Sequence, residues 1–232
     1  MKDFVERLLP LERNLFFAMN GSDSLFLDNV MWTISGRFIW IPVFLFILFL
    51  FFYRARRKEA ILVTLFFILL FVATDQISSG FFKPFFERFR PTHHPDFKDM
   101  VDIVKGYKGG RYGFISGHAT NSFGVAVFLS LVFRNRLVIL STLLWATINS
   151  YTRIYLGVHF ISDIIAGMVV GTIVAFIVYA MYAATRNAVI HPPSTRRQSA
   201  YGKKEGTVLS VFIILYLIVI TVFSPFLSTL PH

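Results

Sequence analysis

Residues 152–185 read TRIYLGVHFISDIIAGMVVGTIVAFIVYAMYAAT: an arginine, a histidine and an aspartate close together, then a stretch from Ile164 to Thr185 without a charge. An uncharged run of that length matches the roughly 20 residues that a helix needs to cross the hydrocarbon core of a bilayer. Five further runs flank it. Phe38–Tyr53 recruits residues upstream of Arg37, and Ala60–Phe82 is interrupted only by Asp75. Ala119–Phe133 and Leu137–Tyr151 form a hairpin about Arg134-Asn135-Arg136, and Thr207–Leu230 carries no charge at all. With Ile161–Thr185 these make six spans.

Composition supports a lipid solvent. The 232 residues are 55% hydrophobic, include 28 Phe, and have a mean hydropathy of +0.63, more apolar surface than one soluble core can bury. The formal charge of +10 gathers in short connectors between apolar runs, where topology accounts for it and no nucleic-acid partner is implied. No cysteine is present, which excludes disulfides, thiolate metal sites and a cysteine nucleophile. The N-terminus has early acidic residues and a proline in its first apolar patch, a poor signal peptide, and is expected to be retained. Its Phe4, Val5, Leu8, Leu15 and Phe16 recur at near-helical spacing among charges, which predicts an amphipathic helix on the membrane surface. The expected fold is all-α: an interfacial segment over residues 1–36, then a polytopic bundle of six transmembrane helices over residues 37–232. There is no internal repeat.

Arg54, Arg56, Arg57 and Lys58, then Arg134 and Arg136, then Arg186, Arg196, Arg197, Lys203 and Lys204 fall on one side of a six-span layout. Basic short connectors mark the cytoplasmic side. The polar stretch at 152–163 falls on the other side, which in a bacterial inner membrane is the periplasmic or outward face.

His159 and Asp163 are four apart, so on a helix they share a face at about 6 Å between Cβ atoms. The carboxylate can accept a hydrogen bond from one imidazole nitrogen, leaving the other as a nucleophile or base. Arg153 precedes His159 by six residues, and Gly157 between them permits a turn that folds the guanidinium back. Singly, each reads as a helix-end residue reaching for the interface. Together they suit an anionic substrate.

Two more clusters complete the pattern. Lys83-Pro-Phe-Phe-Glu-Arg-Phe-Arg90-Pro91 closes the second span, and Ile115-Ser116-Gly117-His118 opens the third. Lys, six residues, Arg-Pro, then Ser-Gly-His, then Arg, five residues, His, three residues, Asp resembles the three-part signature of the type 2 phosphatidic acid phosphatase superfamily, which includes membrane lipid phosphatases and soluble vanadium haloperoxidases. Motifs at 83–91, 115–118 and 152–163 carry the resemblance. Ile115 stands where Pro usually precedes Ser-Gly-His, and Thr152 where Ser usually precedes Arg.

The resemblance implies a phosphatase with His159 as nucleophile, forming a phosphohistidine, Asp163 as its orienting partner and His118 as the acid for the leaving oxygen. Residue chemistry agrees. Lys83, Arg90 and Arg153 supply cations for phosphate oxygens, and Ser116 with the Gly117 amide lies at a helix start that favours an anion. No metal or cofactor is expected, because the cations fill the metal's electrostatic role. The expected substrates are a phospholipid, a lipid A phosphate or a polyprenyl diphosphate in the bilayer. The alternative is a non-hydrolytic transporter or lipid-binding module using the same cations, which would need no paired His and Asp.

Other polar residues read more plainly. His93-His94 lack the partners of a metal site and suit solvent or headgroup contact. Asp75 is an intramembrane carboxylate that Gln76, Ser78 and Ser79 can satisfy. Gly167 and Gly171 suit close packing between helices. Asp96–Lys105, with Phe97, Val101 and Val104 on one side, predicts a short interfacial helix.

Overall fold

The computed structural model describes residues 5–96, 98–191 and 201–230, and all regular structure among them is helical. Helix α1 spans Leu9–Met19 and α2 Leu25–Ser35. A 3-10 turn leads into α3, Ile41–Phe52. Helix α4 runs from Arg57 to Phe86, with a π-helical segment at Gln76–Phe82. Then come α5 (Gly117–Phe133), α6 (Arg136–Tyr155), α7 (Ile161–Ile190), α8 (Lys203–Val222) and the short α9 (Ser224–Leu227).

Among the described residues, α4, α7 and α8 are long and apolar enough to cross a membrane, and the pair Leu25–Ser35 and Phe38–Phe52, bent by 71°, makes a fourth if counted as one. Hydropathy and length therefore give three or four spans where the sequence suggested six. Gly117–Phe133 is apolar but has only 17 residues, and α6 carries Asn149 and Arg153 in its last turns. Helix α5 lies inside the bundle, packed on α4, α6 and α7, and buries Thr120 and Ser122, while α6 buries Asn149 and Arg153 on one side and exposes Leu137, Leu140 and Leu144 on the other. The outer helices show the reverse pattern. Leu65, Ile68 and Val72 on α4, Ile165, Val169, Ile173 and Ile177 on α7, and Val211, Leu215, Ile218 and Val222 on α8 are exposed at helical spacing, an apolar stripe facing outward.

Three boundaries differ from expectation. The last span ends at Val222, because Pro225 starts a separate turn after Phe223. Residues 98–106 form two 3-10 turns, Lys98–Met100 and Val104–Gly106, in place of an interfacial helix; Val101 and Val104 are buried there, and Phe97 lies outside the described residues. In the N-terminal segment Val5 and Phe16 are buried against the protein while Leu11 and Leu15 are exposed, so the apolar stripe is shared between protein and surroundings; Phe4 lies outside the described residues.

Two ends of the bundle are distinguishable. At one, Asn135 bonds the carbonyl of Lys203, Arg134 bonds Tyr179 and Arg186 pairs with Glu59, so the basic connectors lie together; Arg196 and Arg197 lie outside the described residues. At the other end, α1 meets the loops that carry the sequence motifs.

Helices α5 and α7 approach closely at the two glycines noted in the sequence. A Cβ on Gly167 would lie 2.8 Å from the carbonyl oxygen of Ser116, and one on Gly171 would clash outright with that of Thr120. Gly171→Ala is therefore expected to force the helices apart at a cost of about 1–3 kcal/mol. A lowered thermal midpoint of the detergent-purified protein checks this; an unchanged midpoint would contradict the close contact.

Candidate active site

Lys83 follows the π-helical turn of α4, a feature frequent at functional sites, and its Nζ donates to Ser79 Oγ at 3.0 Å. Beyond α4 the chain extends and bridges Phe89 with Tyr112, held by Arg90 N to Arg111 O (3.1 Å) and Gly113 N to Arg88 O (2.9 Å). Alternation along an extended segment turns Arg88 and Arg90 to the side opposite Phe89. Ser116 caps α5, accepting from Ala119 N at 3.4 Å, while its own N–H donates to the carbonyl of Asp163 at 3.1 Å. The start of α5 is thereby tied to the start of α7.

Gly157 makes the turn that the sequence suggested. Its φ of +69° is one that side chains rarely adopt, and a Cβ there would meet Val101. The reversal lets His159 N–H donate to the carbonyl of Arg153 at 3.2 Å. His159 therefore sits in the turn before α7 and not on the helix, with Asp163 in the first helical turn.

The Asp163 carboxylate, fully buried, collects three kinds of donor. Oδ2 accepts from the Phe160 amide at 3.1 Å and faces His159 Nδ1 at 3.3 Å; Oδ1 accepts from Arg88 at 2.7 Å. His159 Nε2 lies 3.2 Å from an Arg90 guanidinium nitrogen. Arginine only donates, so Nε2 is the acceptor and Nδ1 carries the proton toward Asp163. The free lone pair is on Nε2. Burial, then Arg90, Arg153 and Lys83, push the His159 imidazole well below its usual range, so it is neutral at neutral pH.

Lys83, Arg90, Gly117, His118, Arg153 and His159 line one cavity of about 360 Å³. Ser116 and Asp163 are fully buried behind its wall. Arg153 reaches the Ser35 hydroxyl and Tyr107 OH, the latter at 3.2 Å. Burial and Arg153 lower Arg90 to about 10, so it remains cationic and is relieved when an anion enters. Among the described residues, none of Lys83, Arg90 and Arg153 forms an ion pair with a carboxylate. Two buried arginines and a half-buried lysine, none of them in an ion pair, make an anion receptor.

Sequence reasoning missed several residues. Arg37, Tyr107 and Asn149 line the cavity, and Asp75 does too, near enough to act on Lys83. Arg88, fully buried, bonds Asp163, Ser162 and Glu12. Burial works against its charge, but Asp163 and Glu12 outweigh that and hold it above its ordinary value. Its signal was present in the alternation of Arg88-Phe89-Arg90. Of the paired histidines, His94 accepts from the Asp96 amide at 3.2 Å and its Nε2 lies 3.5 Å from Glu6. Among the described residues no three His, Cys, Asp or Glu side chains gather as a metal site would require.

The chain is 46% identical over 185 residues to the lipid A 4'-phosphatase of Porphyromonas gingivalis, covering 79% of this chain and 78% of that one. It is 38% identical over 168 residues to the lipid A 4'-phosphatase of Bacteroides thetaiotaomicron, 72% of this chain and 75% of that one. The crystal structure of Aquifex aeolicus LpxE superposes with a TM-score of 0.53 at 25% identity, covering 73% of this chain and 95% of that one. Residues 64–187, from within α4 to within α7, match the family model of the PAP2 superfamily, and with these relatives the match shows that the chain belongs to the PAP2 superfamily.

Proposed function

We propose that the protein is an integral membrane phosphatase that hydrolyses a phosphate monoester on a lipid, with the 4'-phosphate of lipid A as the substrate best supported and lipid diphosphates or phosphatidylglycerol phosphate as weaker candidates. The carrying observation is the cavity itself, where three cations outside any ion pair surround an imidazole whose Nε2 lone pair faces Arg90. The relatives at 46% and 38% identity favour lipid A.

In this reading phosphate oxygens displace Arg90 from Nε2 and are held by Lys83, Arg90, Arg153 and the first amides of α5. His159 Nε2 attacks phosphorus, the bond to the lipid oxygen breaks, and His118 delivers a proton to that oxygen. Water, giving a proton back to His118, then attacks the phosphohistidine; the P–N bond breaks, releasing phosphate and restoring both rings. Asp163 stabilises the charge that develops on the ring. The cations neutralise the phosphate, and no step calls for a metal.

The proposed layout has six spans: Phe38–Phe52, which contains α3, then α4, α5, α6, α7 and α8, with α1 and α2 lying at the interface. In this layout hydropathy and length undercount the spans because α5 has only 17 residues and α6 carries Asn149 and Arg153 in its last turns. Basic connectors at one end support a cytoplasmic position for that end, with the cavity at the periplasmic face of a bacterial inner membrane.

Phosphate release by detergent-purified protein from lipid A, undecaprenyl diphosphate and phosphatidylglycerol phosphate tests the proposal. Lipid A is expected to be hydrolysed fastest, with activity kept in EDTA. Absence of phosphate release from all three lipids would overturn the proposal; activity lost in EDTA and restored by a divalent ion would overturn its metal-free chemistry.

A further inference from the structure

We infer that Glu12, on the N-terminal helix, is a positioning residue for the His159–Asp163 pair and acts through Arg88. The inference rests on the phosphatase reading of that pair. Glu12 is 8% exposed and lies on the inward side of α1 with Phe16, where an ionised side chain is costly unless it is paired. Here it is paired three times. Oε1 accepts from Arg88 at 2.7 Å and from the Ser162 hydroxyl at 2.7 Å, and Oε2 accepts from the Ser162 amide at 2.7 Å.

Arg88 is the link. One guanidinium nitrogen serves Glu12, and the other serves Asp163 Oδ1 at 2.7 Å and Ser162 Oγ at 2.6 Å. Its plane lies over Phe160, 4.5 Å from the ring centre, so it has little freedom to turn. The chain of contacts runs from Glu12 through Arg88 and Asp163 to His159 Nδ1. Each carboxylate fixes one side of the guanidinium fork, and a bidentate fork held on both sides has one orientation.

The consequence concerns charge as well as geometry. Asp163 supports the ring only as an anion whose Oδ2 is aimed at Nδ1, and Arg88 supplies both the counter-charge and the aim. Without Glu12, Arg88 keeps its charge but loses the contact that holds it off the cavity, where other cations already compete for position. Glu12 touches neither substrate nor the reacting nitrogen. It sets the pair that does.

The test uses Glu12→Gln, which keeps shape and one acceptor and removes the charge. Initial rates of phosphate release from lipid A are measured for the wild type, Glu12→Gln, Asp163→Asn and the double variant. Glu12→Gln is expected to lower kcat about tenfold, the lower end for outer partners of a functional histidine, with KM within about twofold because the phosphate-binding cations are untouched. In the Asp163→Asn background the same change is expected to cost less than about twofold, since the link it works through is already cut. A kcat within about twofold of wild type, or a tenfold loss that persists in the Asp163→Asn background, would overturn the inference. A purely structural role would give that persistent loss. Should Glu12→Gln not accumulate folded, Ser162→Ala serves in its place: a kcat reduced about threefold at unchanged KM, and no further loss when it is combined with Asp163→Asn, supports the inference, and an unaltered kcat overturns it. An inactive wild type would instead overturn the phosphatase reading.

Discussion

His159→Ala is expected to lose turnover by on the order of 10⁴-fold or more, with the protein folded and still able to hold phosphate. The substitution removes the Nε2 lone pair and leaves Lys83, Arg90 and Arg153 in place, so binding and chemistry should separate. Asp163→Asn should be milder, about 10³-fold, because it disturbs the tautomer without deleting the ring. An amide has one acceptor oxygen where the carboxylate has two, so the Phe160 amide and Arg88 cannot both be satisfied as they are now. The direct readout is phosphate trapped on the protein after rapid quench with labelled substrate. It should be acid-labile and base-stable in wild type and absent from His159→Ala. Near-normal turnover by His159→Ala would remove the covalent route altogether.

The depressed pKa of His159 has a sign that can be checked. A nucleophile must be unprotonated, and a group whose pKa lies well below its usual range stays unprotonated as pH falls through about 6.5. The acid limb of kcat/KM for the free enzyme is therefore expected below that of an ordinary histidine. The cause is local: burial first, then Arg90, Arg153 and Lys83.

Much of this arrangement was legible in the sequence, for a physical reason. Polar residues cost free energy inside an apolar bundle, so those at 83–91, 115–118 and 152–163 stood out against their surroundings. Gly157 announced the turn that joins Arg153 to His159. The outer helices α4, α7 and α8 were visible because they face outward and must be apolar. Helices α5 and α6 were found as apolar runs, yet the interior position of α5 and the polar side of α6 that faces the cavity relax that demand, and length and composition alone do not certify them as spans.

What escaped was set by distance along the chain. Arg88 was hidden between two residues already assigned to the phosphate, although an arginine two positions from another on an extended segment must share its side. Glu12 is separated from Ser162 by 150 residues, and no local pattern reports such a pairing. Its one trace was an acidic residue on an apolar stripe. The end of α8 was misplaced because Thr207–Leu230 is uncharged throughout, and charge cannot reveal a break that Pro225 makes. The 96–105 segment carries helical spacing at Val101 and Val104, but both side chains turn inward from short 3-10 turns, which tertiary packing dictates and periodicity does not.

His118 should show a defect that depends on the leaving group. Its Nε2 lies 3.2 Å from the Ser35 carbonyl, and a carbonyl only accepts, so Nε2 carries a proton there, and Nδ1 delivers one from the imidazolium form, which the anionic phosphate in the cavity stabilises. Ser35 ends α2, next to the 71° bend, so the bend fixes the ring beside the phosphate cavity. A sugar alkoxide is a strongly basic leaving group and needs that proton as its bond to phosphorus breaks. An acidic phenol leaves as a stable anion and needs it little. His118→Ala is therefore expected to lower phosphate release from lipid A by about 10²–10⁴-fold, and from an aryl phosphate of an acidic phenol by about tenfold or less. The ratio of the two losses is the informative quantity, since a variant that merely disturbed packing would slow both substrates alike. Equal losses on the two would remove His118 from the proton transfer and leave it a structural partner of the α2 bend.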